Sequence, residues 1–548
     1  MFMIKIKDNK LVKWVPLLVI FVGFFTYWYY FALAHSIEIW TKASDAPLMG
    51  FAQAVNIDFW LRTSGVRALS QALYYQPGLP FQFACWILYR LAYFGQTASP
   101  IALFKLSIQN PAPFWMGMQI TALLLSLLSC FLIWKKAIQY GVVTAIAATL
   151  VFYCSISASR FGFSELFNES FTLLFAVIYF FTALSFLKAE ESRRWRWLIA
   201  SGIVAGFLYL HKMNYVVWGF ALLPAIFTLT VLNQITWKKA TCYGAAYLAI
   251  LVAVIIVFGH ILLGSIGFEH MIHAHKEIFM SSGIYGNGPK TIVNLSAMIF
   301  NASLIFRGEE RHLFLLTGLF LILGFVYFLI NLRRREWLIN NLPELVLLTA
   351  ATVGTTLSLI KHYQPHYTVS VAALLPFWIL WLARNRYKAW IFISIPIILT
   401  GMYLGATSHM TVRAQDLLRQ TRMQADEKIV LAMPMEPGQI RFWFYRYTAP
   451  IYQRLFILDF SGLNKLQYVV NEIQGLQYSA SPYHTGKHSD SGFTNVKDTP
   501  WRYFVLHKND NWINWKEYAW LKSPMVKRTE LRETVVYENL NPNKSGVL

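Results

Sequence analysis

The chain has 548 residues, of which 56% are hydrophobic and only 14% are charged, and its mean hydropathy is +0.43. Soluble domains carry roughly 25% charged residues, so this composition excludes an ordinary soluble protein and predicts a polytopic membrane protein. The formal net charge of +21 does not by itself indicate nucleic-acid binding, because the basic residues gather in short segments between apolar runs. Part of the excess of basic residues could bind anionic lipid or a phosphate-bearing substrate.

About eleven apolar runs are predicted to cross the membrane, since a hydrocarbon core of roughly 30 Å needs about 20 helical residues. The first run follows a lysine-rich N-terminus and is too long for the apolar part of a cleaved signal, so it predicts an anchor. The predicted spans are residues 15–34, 114–134, 141–159, 166–187, 197–211, 214–233, 241–264, 312–331, 343–361, 368–383 and 389–407.

The basic clusters between these runs predict the orientation. With about eleven spans all of the clusters fall on one side of the membrane, which is the cytoplasm by the positive-inside rule. This places the N-terminus in the cytoplasm, and residues 35–113, residues 265–311 and the chain after about residue 408 on the outer face. We predict an integral protein of the bacterial inner membrane, with an endoplasmic reticulum membrane as the alternative.

The first outer loop, residues 35–113, is too polar and too interrupted to span, and it holds Asp45 and Asp58. Its segment at residues 79–94 is apolar enough to be a span. However, Arg90 lies inside this segment, and a span there would reverse the polarity of the early chain. We therefore predict an interfacial helix with its apolar side against the membrane.

The predicted spans at residues 197–211 and 214–233 are short and are joined by the turn Leu-His-Lys-Met-Asn-Tyr. A turn that ends below the membrane surface would place Lys212 at the floor of a cavity, where irregular backbone is tolerated if it lines water or protein. In the alternative, Lys212 extends to the lipid head groups. Spacing alone favours the second interpretation.

After residue 407 the chain becomes polar, with short apolar runs such as Lys-Ile-Val-Leu-Ala-Met, Arg-Leu-Phe-Ile-Leu-Asp-Phe and Tyr-Phe-Val-Leu-His that are typical of strands. We predict a soluble α/β domain over residues 408–548, outside the membrane, behind a transmembrane domain over residues 1–407. Residues 478–500 are predicted to be a loop.

Charged residues collect at the predicted outer face, and charges near a membrane are costly enough to be candidates for function. Asp45 precedes an alanine-proline pair and is either a helix N-cap or a site residue, while Asp58 fits an exposed helix charge or a substrate contact. Glu165 and Glu169 are four residues apart and would share a helix face. Carboxylates can take a proton from an acceptor hydroxyl, and cations can stabilise a departing phosphate. The candidate cations are Arg160, Lys212, Lys290 and Lys361.

Two histidine-bearing segments add to this set. Residues 270–277 read His-Met-Ile-His-Ala-His-Lys-Glu, whose spacing matches no zinc pattern, so no metal is expected although a divalent ion is an alternative. The segment that starts the span after residue 361 carries His362 and His366, either as ligand contacts or as part of an interfacial aromatic belt. Tyr285 lies in a glycine-rich turn that would let backbone approach a ligand. None of the four cysteines has metal-site spacing.

In order and spacing these features resemble the GT-C glycosyltransferases that use polyprenyl-phosphate sugars, which include protein O-mannosyltransferases and lipid A aminoarabinose transferases. The resemblance covers roughly residues 10–405. It rests on the acid early in the first outer loop, the proline-rich start of the interfacial helix, the outer acid at residue 165 or 169, the lysine turn and the segment Lys-His-Tyr-Gln-Pro-His-Tyr. The sequence departs from the family where Ser-Asp-Ala replaces an Asp-Glu pair and where His and Met flank Lys212.

The resemblance implies a membrane glycosyltransferase that moves a sugar from a polyprenyl-phosphate donor to an acceptor hydroxyl at the outer face, with inversion. It implies Asp45 as general base and Glu165 or Glu169 as the residue that orients acceptor or sugar. Lys212, His366 and Arg160 would hold the donor phosphate, and Tyr285 would border the donor. The predicted substrate-binding set also includes His362 and Asp58. The alternative function is a transporter or flippase for a lipid-linked glycan, although no inverted repeat is visible. The acceptor could be glycan, lipid or protein, and nucleic acid is not an expected partner.

Overall fold

The computed structural model describes most of the helical chain and part of its C-terminal region. The described residues are 13–29, 45–66, 73, 78–96, 99–109, 112–163, 166–281, 289–308, 310–385, 388–434, 440–444, 501–507 and 522–541. The predicted strand at residues 454–460 and the predicted loop at residues 478–500 lie outside this set.

Seventeen α-helices and four strands make up the described chain. The helices are α1 (Val15–Trp28), α2 (Asp45–Ser64), α3 (Leu79–Ala92), α4 (Pro100–Gln109), α5 (Ala112–Ala137), α6 (Val142–Leu150), α7 (Ile156–Phe163), α8 (Thr172–Lys188), α9 (Glu191–His211), α10 (Val216–Val231), α11 (Trp237–Met280), α12 (Leu295–Arg307), α13 (Arg311–Asn331), α14 (Arg335–Lys361), α15 (Thr368–Ala372), α16 (Leu375–Arg384) and α17 (Lys388–Leu431). The strands are β1 (Ile440–Phe444), β2 (Trp501–His507), β3 (Val526–Glu530) and β4 (Thr534–Asn539).

Eight stretches in the described chain are long and apolar enough to cross a membrane, and α6 with α7 form a ninth if this bent pair counts as one span. The pair bends by 95° at its break. The two remaining predicted spans correspond to α1, of which the structure describes 14 helical residues, and to α9, whose first turns carry several arginines. The predicted class, a polytopic helical membrane protein with a small C-terminal strand region, is confirmed.

Helix α11 is 44 residues long and contains a break at Gly264, where the backbone adopts φ 67° and ψ 173°. A positive φ strains residues that carry a Cβ, so glycine suits this position. The predicted span over residues 241–264 ends at this break. The rest of the helix continues as a separate segment to Met280 and carries the three histidines of the sequence motif.

The chain divides into two compact units, each of which we describe by itself. The first comprises Met1–Ala32, Tyr75–Phe81 and Gln119–His409, and the second comprises Leu33–Tyr74, Gln82–Met118 and Met410–Leu548. The predicted domain division after residue 407 stays a prediction.

In the first unit, α9 packs closely against α11 because two glycines face the partner helix. A Cβ at Gly206 would lie 2.6 Å from the Val254 side chain, and one at Gly202 would lie 2.9 Å from Ile250. Small residues four apart let helix backbones approach in a membrane, where van der Waals contact replaces the hydrophobic effect. Buried tyrosine hydroxyls complete the packing, since Tyr247 donates to the carbonyl of Gly219 at 3.0 Å.

In the second unit, β1 and β2 pair in parallel and the other pairs are antiparallel, in the order β1-β2-β4-β3. Asp426 on α17 is fully buried and accepts backbone hydrogen bonds from Glu533 and Thr534 at 2.7 and 3.0 Å, which fixes the start of β4. The predicted strand at residues 503–507 is confirmed as part of β2. The predicted strand at residues 428–433 is wrong, because α17 continues to Leu431.

Candidate active site

The Lys212 turn is the centre of the candidate site. Helix α9 ends at His211, Lys212 has an extended backbone, and a 3-10 turn over Met213–Tyr215 leads into α10. The Lys212 ammonium forms an ion pair with Glu169, and the two side chains are 15% and 0% exposed. The interpretation of Lys212 as a side chain that extends to the lipid head groups is therefore wrong, because its charge points to a buried carboxylate. Sequence spacing could not reveal that partner.

Glu169 lies in a 3-10 turn, Asn168–Phe171, that precedes α8. The buried ring of His211 makes a 2.9 Å hydrogen bond with the carbonyl of Asn168, which ties this turn to the end of α9. One Glu169 oxygen is taken by Lys212, and the other is buried with no hydrogen-bond partner among the described residues. A buried carboxylate oxygen without a partner is costly. Glu169 thus has unused capacity to accept a hydrogen bond.

A third segment, between α14 and α15, completes the cluster. The Lys212 ammonium lies 4.3 Å from the centre of the Tyr367 ring, close enough for a cation–π interaction. The neighbouring His366 ring packs against Phe161 and Phe167, with centroid distances of 6.5 and 6.4 Å.

Arg160 on α7 lies beside the Phe161 ring, at 5.6 Å from its centre. The electrostatic neighbours of His366 are Glu169, Lys212 and Arg160. The structure therefore brings together four predicted residues from four separate parts of the sequence, within one unit.

Glu310 is a buried acid that the sequence reasoning did not single out. Its side chain accepts hydrogen bonds from the Ser155 hydroxyl, the Ser157 amide and the Thr368 hydroxyl at 3.0, 3.0 and 3.2 Å. It thereby links the break between α6 and α7 to the turn that carries His366. Burial raises the pKa of Glu310 above its ordinary value of 4.5. The signal in the sequence was an acidic pair at residues 309–310, two residues before an apolar run.

Gly78, just before α3, has a structural reason to be glycine. A Cβ at this position would lie 1.9 Å from the backbone oxygen of His211. Only glycine permits this approach, which sets a segment from the first predicted outer loop against the Lys212 turn. The predicted helix at residues 79–94 is observed as α3, and its interfacial placement stays a prediction.

Other predicted site residues lie elsewhere or outside the described set. Asp45 is the first residue of α2 and its side chain is not among those described, while Glu165 and Tyr285 fall outside the described residues. The shared face of Glu165 and Glu169 therefore stays a prediction. The interpretation of Asp58 as an exposed helix charge is wrong, because it is 2% exposed and lies 3.4 Å from both Arg62 and Arg90.

The remaining predicted cations are dispersed. His275 is buried and shares a 2.7 Å hydrogen bond with the Tyr209 hydroxyl, whereas His270 and His273 are exposed on the same helix. Lys290 pairs with Glu277 at 3.6 Å, and Lys361 donates to the carbonyl of Phe279. His362 is buried at the end of α14. Among the described residues, no group of three or more His, Cys, Asp or Glu could hold a metal ion.

This arrangement can bind an anion and a hydroxyl together. Lys212 and Arg160 are cations, His366 supplies a ring nitrogen, and Glu169 offers one oxygen to a hydroxyl donor. Such a cluster suits a phosphate ester that carries a polyhydroxylated group.

Part of the chain matches a known protein family. Residues 114–261 match the family model "Dolichyl-phosphate-mannose-protein mannosyltransferase". The matched segment contains Arg160, Glu169 and Lys212. This match confirms the resemblance to the GT-C glycosyltransferases that the sequence predicts. No significant match was found among curated protein sequences.

Two solved structures of ArnT from Cupriavidus metallidurans are distantly similar. The structure bound to undecaprenyl phosphate is 14% identical, with a TM-score of 0.48 over 96% of this chain and 98% of that chain. The apo structure is also 14% identical, with a TM-score of 0.48 over 97% of this chain and 99% of that chain.

Proposed function

We propose that this membrane glycosyltransferase of the GT-C type moves a sugar from a polyprenyl-phosphate donor to an acceptor hydroxyl, with inversion at the anomeric carbon. The reaction would take place at the periplasmic face of a bacterial inner membrane, with the N-terminus in the cytoplasm. The observation that carries the proposal is the buried Glu169–Lys212 pair with His366 as its electrostatic neighbour, and Arg160 is in turn a neighbour of His366. This cluster combines cations for a phosphate with a carboxylate oxygen that can accept a hydroxyl hydrogen bond.

In the proposed step, the acceptor oxygen attacks the anomeric carbon while the bond from that carbon to the phosphate oxygen breaks. The bonding electrons leave with the phosphate, so the polyprenyl phosphate gains one negative charge. The acceptor proton passes to a carboxylate, to which we assign Asp45. Lys212, Arg160 and His366 stabilise the new phosphate charge, which makes their contribution larger in the transition state than in the ground state.

Glu169 has two roles in this proposal. Before the donor binds, it neutralises Lys212 and thereby keeps that charge from being buried alone. When the donor phosphate approaches Lys212, it competes with Glu169 for the ammonium. The carboxylate can then accept hydrogen bonds from the sugar or acceptor hydroxyls. Glu165, Tyr285, His362 and Asp58 stay in the predicted substrate-binding set.

The proposal is tested with the purified full chain in nanodiscs and a panel of radiolabelled polyprenyl-phosphate sugars. Wild type is expected to release sugar from one donor and transfer it to an acceptor. Asp45→Asn should lower the turnover rate about 10²–10⁴-fold, since it removes a general base. Lys212→Gln should weaken donor binding, which is measured separately by equilibrium binding of the labelled donor. Glu336→Gln, which changes an exposed acid in the first turn of α14, is the matched control and should keep full activity.

Different results would reject different parts of the proposal. Full activity of Asp45→Asn would reject the base assignment alone. Unchanged donor affinity of Lys212→Gln would reject the phosphate site. If no donor were turned over but a lipid-linked glycan crossed the bilayer in proteoliposomes, the flippase function would replace the transferase.

A further inference from the structure

A cavity lies at the opposite ends of the helices that build the candidate site. Helix α8 begins after the Glu169 turn and ends at Lys188, and α9 has Arg193 near its start and ends at the Lys212 turn. Helix α16, which follows the His366 turn, ends at Arg384. At 1.5 Å per residue, the 17 residues of α8 separate the two regions by about 25 Å. We call this region the basic end. It is lined by four cations and encloses a cavity of about 470 Å³.

The cations of the basic end are not equally neutralised. The buried Glu344 accepts from Lys188 at 2.7 Å and from Arg384 at 2.5 Å. Arg384 donates in addition to the Asn341 side chain at 2.7 Å. These two cations thus share one carboxylate oxygen of Glu344.

Lys136 and Arg193 are the other two cations of the cavity. Neither has an acidic partner among the described residues, and both are exposed. The second acid in the lining is Glu190, so the four cations exceed the two acids by two positive charges. Two positive charges of the cavity are thus available to an anionic ligand.

The same cavity has an apolar wall. Phe181, Phe377 and Trp197 line it, and the Lys136 ammonium lies 5.7 Å from the centre of the Phe181 ring. Trp197 is 39% exposed. A cavity that combines cations with aromatic rings, at the ends of the predicted spans 114–134, 166–187 and 368–383, matches an amphiphile that joins a phosphate to acyl chains.

We propose that the basic end binds the head group of an anionic phospholipid, with its phosphate at Lys136 and Arg193 and its acyl chains along Phe181 and Trp197. This site is distinct from the candidate active site and takes a ligand that the transfer reaction does not consume. Glu344 holds Lys188 and Arg384 at the cavity wall, so the lipid meets a preformed surface. Inorganic phosphate shares the anionic chemistry but lacks the acyl chains, and the experiment separates the two.

The test measures lipid binding to the detergent-solubilised full chain by native mass spectrometry. Phosphatidylglycerol, phosphatidylethanolamine and inorganic phosphate are titrated against wild type and two double variants. Lys136→Gln/Arg193→Gln removes the two available cations. Lys135→Gln/Arg196→Gln removes two exposed cations next to them that do not line the cavity. Each basic residue near an anionic lipid contributes roughly fivefold in affinity, so the first variant should lose roughly 10- to 30-fold for phosphatidylglycerol.

The proposal is supported if the control variant loses less than about twofold and wild type prefers phosphatidylglycerol over phosphatidylethanolamine. Equal losses in both double variants would show a diffuse charge effect and overturn it. Inorganic phosphate that binds as tightly as phosphatidylglycerol and displaces it would overturn the lipid assignment in favour of a free anion. Unchanged thermal unfolding of both variants excludes misfolding as a cause. Transfer activity is not the readout, so a failure here is separate from a failure of the proposed function.

Discussion

A buried glutamate pairs with a lysine near each end of α8, but the two glutamates differ in the number of cations that contact them. Glu344 at the basic end has two cations, and one of these is anchored to a further side chain. Glu169 at the other end has one cation and one oxygen without a partner among the described residues. In the first arrangement two cations hold the same carboxylate oxygen. The second leaves polar capacity that a ligand can use, which is what distinguishes a binding site from a structural ion-pair network.

The largest expected difference between the two ends is the cost of removing the lysine. Lys212→Met leaves Glu169 as a buried charge without its cation, which should cost about 3–5 kcal/mol of unfolding free energy. Lys188→Met leaves Glu344 with Arg384, and Lys188 is 52% exposed, so the loss should be at most about 1 kcal/mol. Denaturant titration of the two purified variants in the same detergent measures both values.

A double variant sharpens this test. Lys212→Met with Glu169→Gln removes both charges and should recover most of the lost stability, because no uncompensated charge stays buried. It should not recover sugar transfer. Similar losses for the Lys212 and Lys188 single variants would contradict the distinction drawn between the two glutamates.

Backbone packing at the Lys212 turn gives a smaller expected effect. Gly78→Ala inserts a Cβ 1.9 Å from the His211 carbonyl oxygen, so the backbone must shift at a cost of about 1–3 kcal/mol. The shift should also lower transfer, because misplacement by about 1 Å can cost about 10²-fold in rate. Gly318→Ala is the control, since an added Cβ there meets nothing within 4 Å. Comparable thermal unfolding and activity in the two variants would show that the approach at Gly78 does not position Lys212.

The smallest expected effect is the pH dependence that Glu310 contributes. Because burial raises the pKa of this carboxyl, the folded state binds more protons than the unfolded state above about pH 4.5. Its contribution to stability therefore falls as the pH rises through that range, and Glu310→Gln should remove this slope. The unfolding temperature of wild type relative to the variant, measured from pH 4 to 8, should decline with rising pH. A constant or rising difference would reject the assigned direction.

The sequence predicted the fold class, because the fold class depends on local pattern. Apolar runs defined the helices, and the predicted end of one span at residue 264 matches the break at Gly264. The Lys212 turn was located, but its partner was not, since Glu169 is 43 residues away and their contact is set by how α8 packs on α9. The strand predicted near residue 430 failed because a short apolar run does not distinguish a strand from the end of a long helix.

Glu310 and Gly78 were missed as site-forming residues for a related reason. Each acts on a distant segment, and neither forms a recognisable motif with it. The hydrogen bonds of Glu310 span more than 50 residues in both directions along the chain. Asp45, Glu165 and Tyr285 stay predictions that rest on the order of features in the sequence.

The break at Gly264 also has a consequence for the bilayer that surrounds the chain. The segment of α11 before it, residues 237–263, is about 40 Å long at 1.5 Å per residue. That length is close to the full thickness of a bilayer with its head groups, roughly 40–45 Å. A straight continuation of all 44 residues would be about 66 Å long and would extend far beyond it. The break at Gly264 therefore limits the straight part of α11 to a length that fits one bilayer. In a membrane with shorter acyl chains, this segment would tilt.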